Sequence, residues 1–461
     1  MPPRAVNPNK VYYNYQGHIP PLKLEDTPVE APPLTPGTTP ALPKLITDTT
    51  LRDGAQDSRI ANFPPEAKVR YFDLLHKLDN GTGVIDCLEV FIYQERDLWA
   101  LEQLLDRGYE YPRVTTWTRA VPKDIKDLVT ASRGRLKETG MLASSSDHHI
   151  FDKLRFHSKE EAIEKYLQPI MTAYENGIRP RVHLEDTTRA DVHGWVIPFM
   201  QRVLKETDGT AKFRVCDTIG MGSPDPYAAL PMGIPRLTTT LLAETGAELE
   251  FHGHNDFGMA TANTIAFWRY GGTKANTAFG GLGERSGNTS LEQVLASYIR
   301  LYGDPGFDLT ALSEIADLIS GEVRPLPANA PIVGDVFSSQ AGLHQTGLER
   351  QGAAEGGYIY LAYDPAQVGR EDTELNRIGH VSGIDGIVTL LNREHERRTG
   401  QPGPYVPVSR AVKHVYDRIH AAYDGQFDEG TGKYVNYRMT FFGAEEVYAL
   451  VQEYERDHGR S

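Results

Sequence analysis

A (β/α)8 TIM barrel, α/β in class, with a C-terminal helical appendage and an extended N-terminal arm is the fold this sequence predicts. Three observations carry that expectation. Strand-like apolar runs alternate with amphipathic stretches of helical period from Leu45 onward, and the rhythm repeats eight times before closing near Tyr302. Eight such units within roughly 250 residues is the arithmetic of a TIM barrel. The chief rival, a doubly wound open sheet, would carry a G-x-G-x-x-G turn after its first strand, and none is present.

The elements follow in order. Residues 1–44 are the arm. Between 17 and 44 prolines crowd the chain (Pro20, Pro21, Pro28, Pro32, Pro33, Pro36, Pro40, Pro43) without helical or strand period. That segment is either an extended arm wrapped on the body or on a partner subunit, or disordered chain. The barrel occupies 45–302, with strands read at Leu45–Thr50, Val84–Phe91, Arg113–Thr118, Gly140–Ser145, Arg179–Leu184, Lys212–Asp217, Glu248–His254 and Thr273–Phe279. Between them lie helical stretches such as Glu66–Leu78, which opens on Pro64-Pro65, a favourable first turn. The last runs from about Ser290 to Tyr302. Beyond it come a short helical stretch (Leu309–Gly321), a polar, glycine-rich passage (Pro331–Gly369), and helix-like segments near Ile384–Arg398, Val408–Tyr423 and Ala444–Arg456. Residues 303–461 therefore read as one or two small helical subdomains.

The bulk composition narrows the function classes. With 461 residues, 40% hydrophobic and 24% charged, the chain is long enough for one large barrel plus an appendage. No run approaches the roughly eighteen apolar residues of a membrane helix, and Met1–Gln16 lacks an apolar signal core. A formal charge of −14 argues against a nucleic-acid or anionic-membrane partner, because either requires a basic face. Small anionic substrates stay compatible, since a few arginines and a metal ion reverse the local field. The two cysteines, Cys87 and Cys216, each sit inside an apolar strand-like run, so a cytoplasmic protein without a disulfide framework is expected.

In a TIM barrel the active site forms at the C-terminal ends of the strands, and here those ends are chemically rich. The first leads into Asp48-Thr49-Thr50-Leu51-Arg52-Asp53-Gly54-Ala55-Gln56, the seventh ends in Phe251-His252-Gly253-His254-Asn255-Asp256, and the eighth is followed by Gly280-Gly281-Leu282-Gly283-Glu284-Arg285-Ser286-Gly287-Asn288. Residues two apart on a strand face the same side, so His252 and His254 project together. With Asp53 and the amide oxygen of Asn288 they make an N2O2 set suited to a divalent cation with open positions for substrate. Gly253 is expected to keep the space between the histidines clear. Oxygen and imidazole donors tolerate several ions, so Mn2+, Co2+, Mg2+ and Zn2+ all fit. A pair of structural histidines in a loop is the bland alternative; the Asp-bearing and Asn-bearing turns weigh against it.

These three motifs together resemble those of the DRE-TIM metallolyase superfamily, whose members include isopropylmalate, homocitrate and Re-citrate synthases and the hydroxymethylglutaryl-CoA lyases. The resemblance spans about Leu45 to Gly383. It implies Asp53, His252 and His254 as metal ligands, with Asn288 a further ligand or a close neighbour. It implies Arg52 as the cation that stabilises the enolate or developing alkoxide, Glu89 as a carboxylate near the substrate, and Thr218 as a hydrogen-bond partner of a 2-oxo acid's C1 carboxylate. Glu185 and Gln56 join the substrate-facing set.

Condensation is favoured over cleavage. The family's lyases carry a catalytic cysteine in the glycine-rich loop near the eighth strand, and this chain has none there. Gly334-Asp335-Val336-Phe337-Ser338-Ser339-Gln340-Ala341-Gly342-Leu343-His344-Gln345 resembles the post-barrel segment of the condensing enzymes, in which a histidine matching His344 helps deprotonate acetyl-CoA, often from a neighbouring subunit. Tyr360-Leu361-Ala362-Tyr363-Asp364-Pro365 resembles their next motif, with Tyr360 the matching tyrosine. A homodimer or larger homo-oligomer is accordingly expected.

The fifth strand, Arg179-Pro180-Arg181-Val182-His183-Leu184-Glu185, is similar to the homocitrate synthase strand whose arginine, matching Arg181, grips a distal carboxylate. His183 stands where those enzymes usually have serine. The surrounding residues, with Ser144-Ser145-Ser146-Asp147-His148-His149-Ile150-Phe151, look closest to the Re-citrate synthases and to phosphinomethylmalate synthase, which act on oxaloacetate and its phosphinic analogue. Homocitrate formation from 2-oxoglutarate is the alternative. His148 and His149, being adjacent, cannot both face the barrel mouth from a strand, so one is structural.

Overall fold

The computed structural model describes residues 19–38, 40, 42–351, 359–370 and 376–459. Its first body is the expected barrel. Strands β1 (Leu45–Asp48), β2 (Ile85–Val90), β3 (Arg113–Thr118), β4 (Glu138–Ser144), β5 (Arg179–Glu185), β6 (Lys212–Asp217), β7 (Leu249–Gly253) and β8 (Lys274–Thr277) are parallel and paired in sequence order, and β8 closes onto β1. After each strand comes a helix: α1 (Pro65–Asp79), α2 (Glu95–Asp106), α3 (Pro122–Ser132), α4 (Lys159–Glu175), α5 (Ile197–Glu206), α6 (Ile234–Thr245), α7 (Ala260–Arg269) and α8 (Leu291–Tyr302). Proline occupies the first or second position of α1, α3, α5 and α6, where a missing N–H costs nothing and the fixed φ is already helical.

Alternation along the strands splits the core into two kinds of surface. Outward-facing Ile46, Leu88, Val182, Phe213, Val215 and Phe251 are buried against the helix layer. The inward face differs from the branched aliphatic filling usual in such barrels. Here Glu89, Glu138, Arg181, Lys212, Arg214 and Glu250 are all buried and cross-link one another by ion pairs, while buried Lys274 pairs with buried Asp86. Buried charges persist only when paired and hydrogen-bonded, so the network is self-supporting or it is nothing.

Part of the arm is described, and it lies along the barrel. Glu25 and Val29 donate backbone hydrogen bonds to Tyr227 and Pro226 in the loop after β6, Arg236 reaches Thr27 O at 2.7 Å, and Gly37 donates to Leu301 O at 3.0 Å. Residues 1–18 of the arm lie outside the described residues. Helix α9 (Ala311–Glu322), expected among the C-terminal subdomains, instead joins α1 through the Arg70–Glu322 and Lys77–Glu314 ion pairs. The chain divides into two compact units between Val333 and Gly334, later than the boundary read at 303.

The second unit contains α10 (Gly342–Gln351), α11 (Ile384–Thr399), α12 (Arg410–Asp424), a hairpin of β9 (Gln426–Asp428) and β10 (Lys433–Val435), and α13 (Ala444–His458). Its core is Ile387, Leu391, Val412, Val415, Ile419, Val447 and Val451, drawn from the three longer helices. Helix α10 lies in a passage that reads as irregular, because its sequence has almost no apolar period. It is anchored instead by Gln345, which is fully buried and donates to Ser339 O and Arg377 O at 3.3 and 3.0 Å.

Candidate metal centre

The turn after β1 is locked before it reaches Asp53. Asp48 accepts hydrogen bonds from Thr50 N and Thr50 Oγ1 at 3.0 and 2.9 Å, and Thr50 Oγ1 in turn accepts from Tyr71 and from Phe279 N, tying this turn to the one after β8. Burial raises the Asp48 carboxyl to about 7, against the lowering effect of those Thr50 hydrogen bonds. The first aspartate of the motif is thus structural, and the second, Asp53, is delivered to the rim on the short turn Gly54–Gln56.

There it meets the histidines. Ligand atoms of Asp53, His252 and His254 all lie within 4.8 Å of one another, and all three residues are buried. His252 Nε2 and His254 Nε2 are 3.2 Å apart, and Asp53 Oδ2 is 3.1 Å from the first and 3.7 Å from the second. His252 Nδ1 is 2.6 Å from Asn276 Oδ1. An amide oxygen only accepts, so Nδ1 carries the proton and Nε2 presents its lone pair. Two ring nitrogens and a carboxylate oxygen this close repel one another unless a proton or cation sits among them.

Three buried polar atoms of the cluster make no hydrogen bond: the acceptors Asp53 Oδ2 and Asn288 Oδ1, and His254 Nδ1. Asn288 pairs its backbone with His254 and gives its Nδ2 to Leu282 O at 2.8 Å, which fixes which end of the amide is the unpartnered one. Gly283 holds φ +156°, and a Cβ there would sit 2.4 Å from Asn288 Nδ2, so this position needs glycine. Burial and the adjacent His252 lower His254 to about 4. Burial would raise Asp53, but Arg52 and His252 outweigh it and hold the carboxyl well below its usual range. Neutral imidazole and ionised carboxylate are the ligating forms, so the donor set fits a divalent cation. Gly253 has a different reason from the expected one. A Cβ there would meet the Phe251 ring at 2.8 Å, on the face turned away from the histidines.

Beside the cluster, Arg52 places Nη1 3.6 Å from Asp53 Oδ1 and donates from Nε to Glu89 Oε2 at 2.8 Å, with its guanidinium over the Trp117 ring at 5.9 Å. Glu89 is fully buried and holds Arg52 from below. Thr218 accepts from Asp186 N at 2.8 Å, which leaves its hydroxyl proton free to donate. Gln56 is exposed just past Asp53. Glu185 at the end of β5 accepts from Ser144, from Lys153 Nζ at 2.7 Å, and faces His149 Nδ1 at 3.0 Å. Those partners overcome its burial and hold it at about 2. His149 is therefore the structural member of the adjacent pair, bridging Glu185 and Asp186.

Arg181 and His183 lie deep in the barrel. Arg181 has no exposure, and its fork is filled by Glu138 Oε1 at 3.0 Å and Glu89 Oε1 at 2.6 Å. His183 is kept neutral by burial and the adjacent Arg214. It fits because Gly140 on the neighbouring strand has no Cβ; one there would lie 2.4 Å from His183 Nε2. In the second unit, His344 and Tyr360 pair with each other, Tyr360 Oη lying 2.8 Å from His344 Nδ1 with the rings stacked at 4.6 Å. Sequence reasoning missed Asn276, Arg214, Glu250 and Glu138. The available signal was charged or amide residues at alternate positions inside strands otherwise read as apolar.

A closed parallel barrel with an Asp-His-His cluster able to hold a cation, and an arginine, at its C-terminal rim has the layout of the metal-dependent TIM-barrel enzymes. The HMGL-like family profile matches residues 44–319. The chain is 41% identical over 360 residues to a citrate (Re)-synthase of Clostridium kluyveri, covering 75% of this chain and 76% of that one. It is 32% identical over 363 residues to 2-phosphinomethylmalate synthase of Streptomyces hygroscopicus (76% and 79% covered), and 31% identical over 356 residues to homocitrate synthase 1 of a Nostoc species (76% and 86%). The chain belongs to the HMGL-like, or DRE-TIM, family, on the side of its synthases.

Proposed function

We propose that this protein condenses acetyl-CoA with an oxaloacetate-like 2-oxo acid and hydrolyses the resulting thioester, giving citrate or, from the phosphinic analogue, phosphinomethylmalate. The observation that carries the reading is the buried Asp53–His252–His254 cluster with Arg52 at its edge; the similarity to a citrate (Re)-synthase and a 2-phosphinomethylmalate synthase supplies the substrate class.

A divalent cation held by Asp53, His252 and His254, with Asn288 beside them, would supply Lewis-acid polarisation of the 2-oxo group. Arg52, fixed by Glu89, presents its free guanidinium end to the oxygen on which negative charge grows. Thr218 donates its hydroxyl proton to the C1 carboxylate. His344 acts as base. With its Nδ1–H given to Tyr360, its Nε2 lone pair takes a proton from the acetyl methyl, and the enolate carbon so formed bonds to the 2-oxo carbon. Water then cleaves the thioester, releasing the CoA thiol. We further propose that Mn2+, Co2+, Mg2+ or Zn2+ serves, and that a homo-oligomer is the working form.

2-Oxoglutarate is the second substrate to test. The burial of Arg181 against Glu89 and Glu138 disfavours it, because that arginine would have to hold the more distant carboxylate. The test is thiol release from acetyl-CoA across a panel of 2-oxo acids. Release is expected with oxaloacetate or its phosphinic analogue, with loss on chelation and in H254A. Release with no member of the panel, or full activity of metal-stripped H254A, overturns the reading.

A further inference from the structure

We propose that Arg214 and Glu250 are positioning residues that set the orientation of Arg52 through Glu89. The inference rests on reading Arg52 as the cation that meets developing negative charge, and it names two residues that touch neither the cation site nor the rim.

The coupling runs through one carboxylate. Glu89 Oε2 accepts from Thr49 Oγ1 at 2.9 Å, Arg52 Nε at 2.8 Å and Arg214 Nη1 at 3.0 Å, while Oε1 takes Arg181 Nη2 at 2.6 Å. Arg52 and Arg214 therefore draw on the same oxygen. What one guanidinium takes, the other loses, so the grip on Arg214 from its far side is felt at Arg52. That grip is Glu250, whose Oε1 accepts Arg214 Nη2 at 3.1 Å and whose Oε2 lies 3.1 Å from Arg214 Nε.

The surroundings make this coupling strong. Arg214, Glu89 and Arg181 have no exposure and Glu250 is 2% exposed, so water cannot rebalance the charges. Arg52, Arg181 and Arg214 converge on Glu89, with Glu138 taking the other arm of Arg181 and Glu250 the far side of Arg214. Removing the charge of Glu250 leaves Arg214 to Glu89 alone and pulls Oε2 away from Arg52 Nε. Removing Arg214 leaves Arg181 as the one cation shared by the Glu89 and Glu250 carboxylates. Either change turns the guanidinium whose Nη1 stands 3.6 Å from Asp53, with no change to a metal ligand.

The test uses the full chain as R214M, and as E250Q, which keeps the side-chain shape should R214M fail to fold. The first readout is independent of turnover: the Arg52 side-chain Nε–H resonance of arginine-labelled protein, assigned by its loss in R52K. It is expected to shift and exchange faster in both variants. The second is kinetic. The kcat should fall roughly 10- to 100-fold, less than the loss from deleting a charge-stabilising donor outright, with the KM for the 2-oxo acid and the metal affinity within about threefold. In an R52K background the same substitutions should add less than about twofold, because residues acting through one another are not additive. An unmoved Arg52 resonance in a folded variant, effects that multiply in the double variants, or a change confined to KM each overturns the inference. If wild-type protein condenses nothing in the panel, the functional reading falls, and the resonance alone still decides whether Arg214 and Glu250 set Arg52.

Discussion

Replacing Glu89 by glutamine probes the centre of the barrel, and its cost can be worked from the geometry. The carboxylate receives four donors, three of them guanidinium groups. Glutamine removes the one negative charge on which three buried guanidinium groups converge, leaving an uncompensated cation in a buried site. Such a loss costs about 3–5 kcal/mol. An unfolding entropy near 2.1 cal/mol/K per residue over a unit of roughly 300 residues turns that into a Tm drop of about 5–8 °C. The pH dependence has a definite sign. Burial opposes ionisation of Glu89, but Arg214, Arg52 and Arg181 override it and hold the carboxyl well below its ordinary 4.5. A folded-state pKa below the unfolded one adds stability above the unfolded value and loses it as pH falls through the folded one. Scanning calorimetry should therefore show E89Q less stable by a constant margin from pH 8 down to about 5, the gap narrowing only in stronger acid. An E89Q protein within about 1 °C of wild type at pH 7, or a gap that widens below pH 4.5, would refute the reasoning.

Other perturbations separate the roles of the remaining residues. Asn276 fixes the tautomer of His252, so N276A should weaken Mn2+ binding about 10- to 100-fold by calorimetric titration without unfolding the barrel; unchanged affinity would remove Asn276 from the site. His344 is exposed and paired with Tyr360, so H344A should keep its Tm while kcat falls about 10²- to 10⁴-fold. A KM effect alone would make His344 a binding residue. R181M should lose stability much as E89Q does, with little change in the KM for oxaloacetate; a large rise in KM at unchanged Tm would return Arg181 to the substrate.

The closed barrel was legible because alternation and helical period repeat in order over many residues, and each repeat limits the next. The cation site was legible for a local reason. Residues 252 and 254 share a face wherever that strand lies, and the Asp53 and Asn288 turns belong to the strands that flank the closure. Helix α10 and the β9–β10 hairpin were not. One is held by the buried amide of Gln345 and the other has three-residue strands, and neither leaves a periodic trace.

Depth along the barrel axis was the harder quantity, and Arg181 shows why. Period two says that Arg181, His183 and Glu185 face inward together, but it does not say how far each stands from the rim. That depends on stagger between strands, and Arg181 lies opposite Gly140 and Lys212, beside residues that only the closed sheet brings near. At that level it meets Glu89 and Glu138, whereas Glu185, four residues further along the same face, reaches Ser144, His149 and Lys153 near the mouth. A charged residue early in a barrel strand and one at its end thus carry the same sequence signature at different depths. The exchange of partners at Glu89 joins the two levels, because its single carboxylate closes the interior network below and fixes Arg52 above.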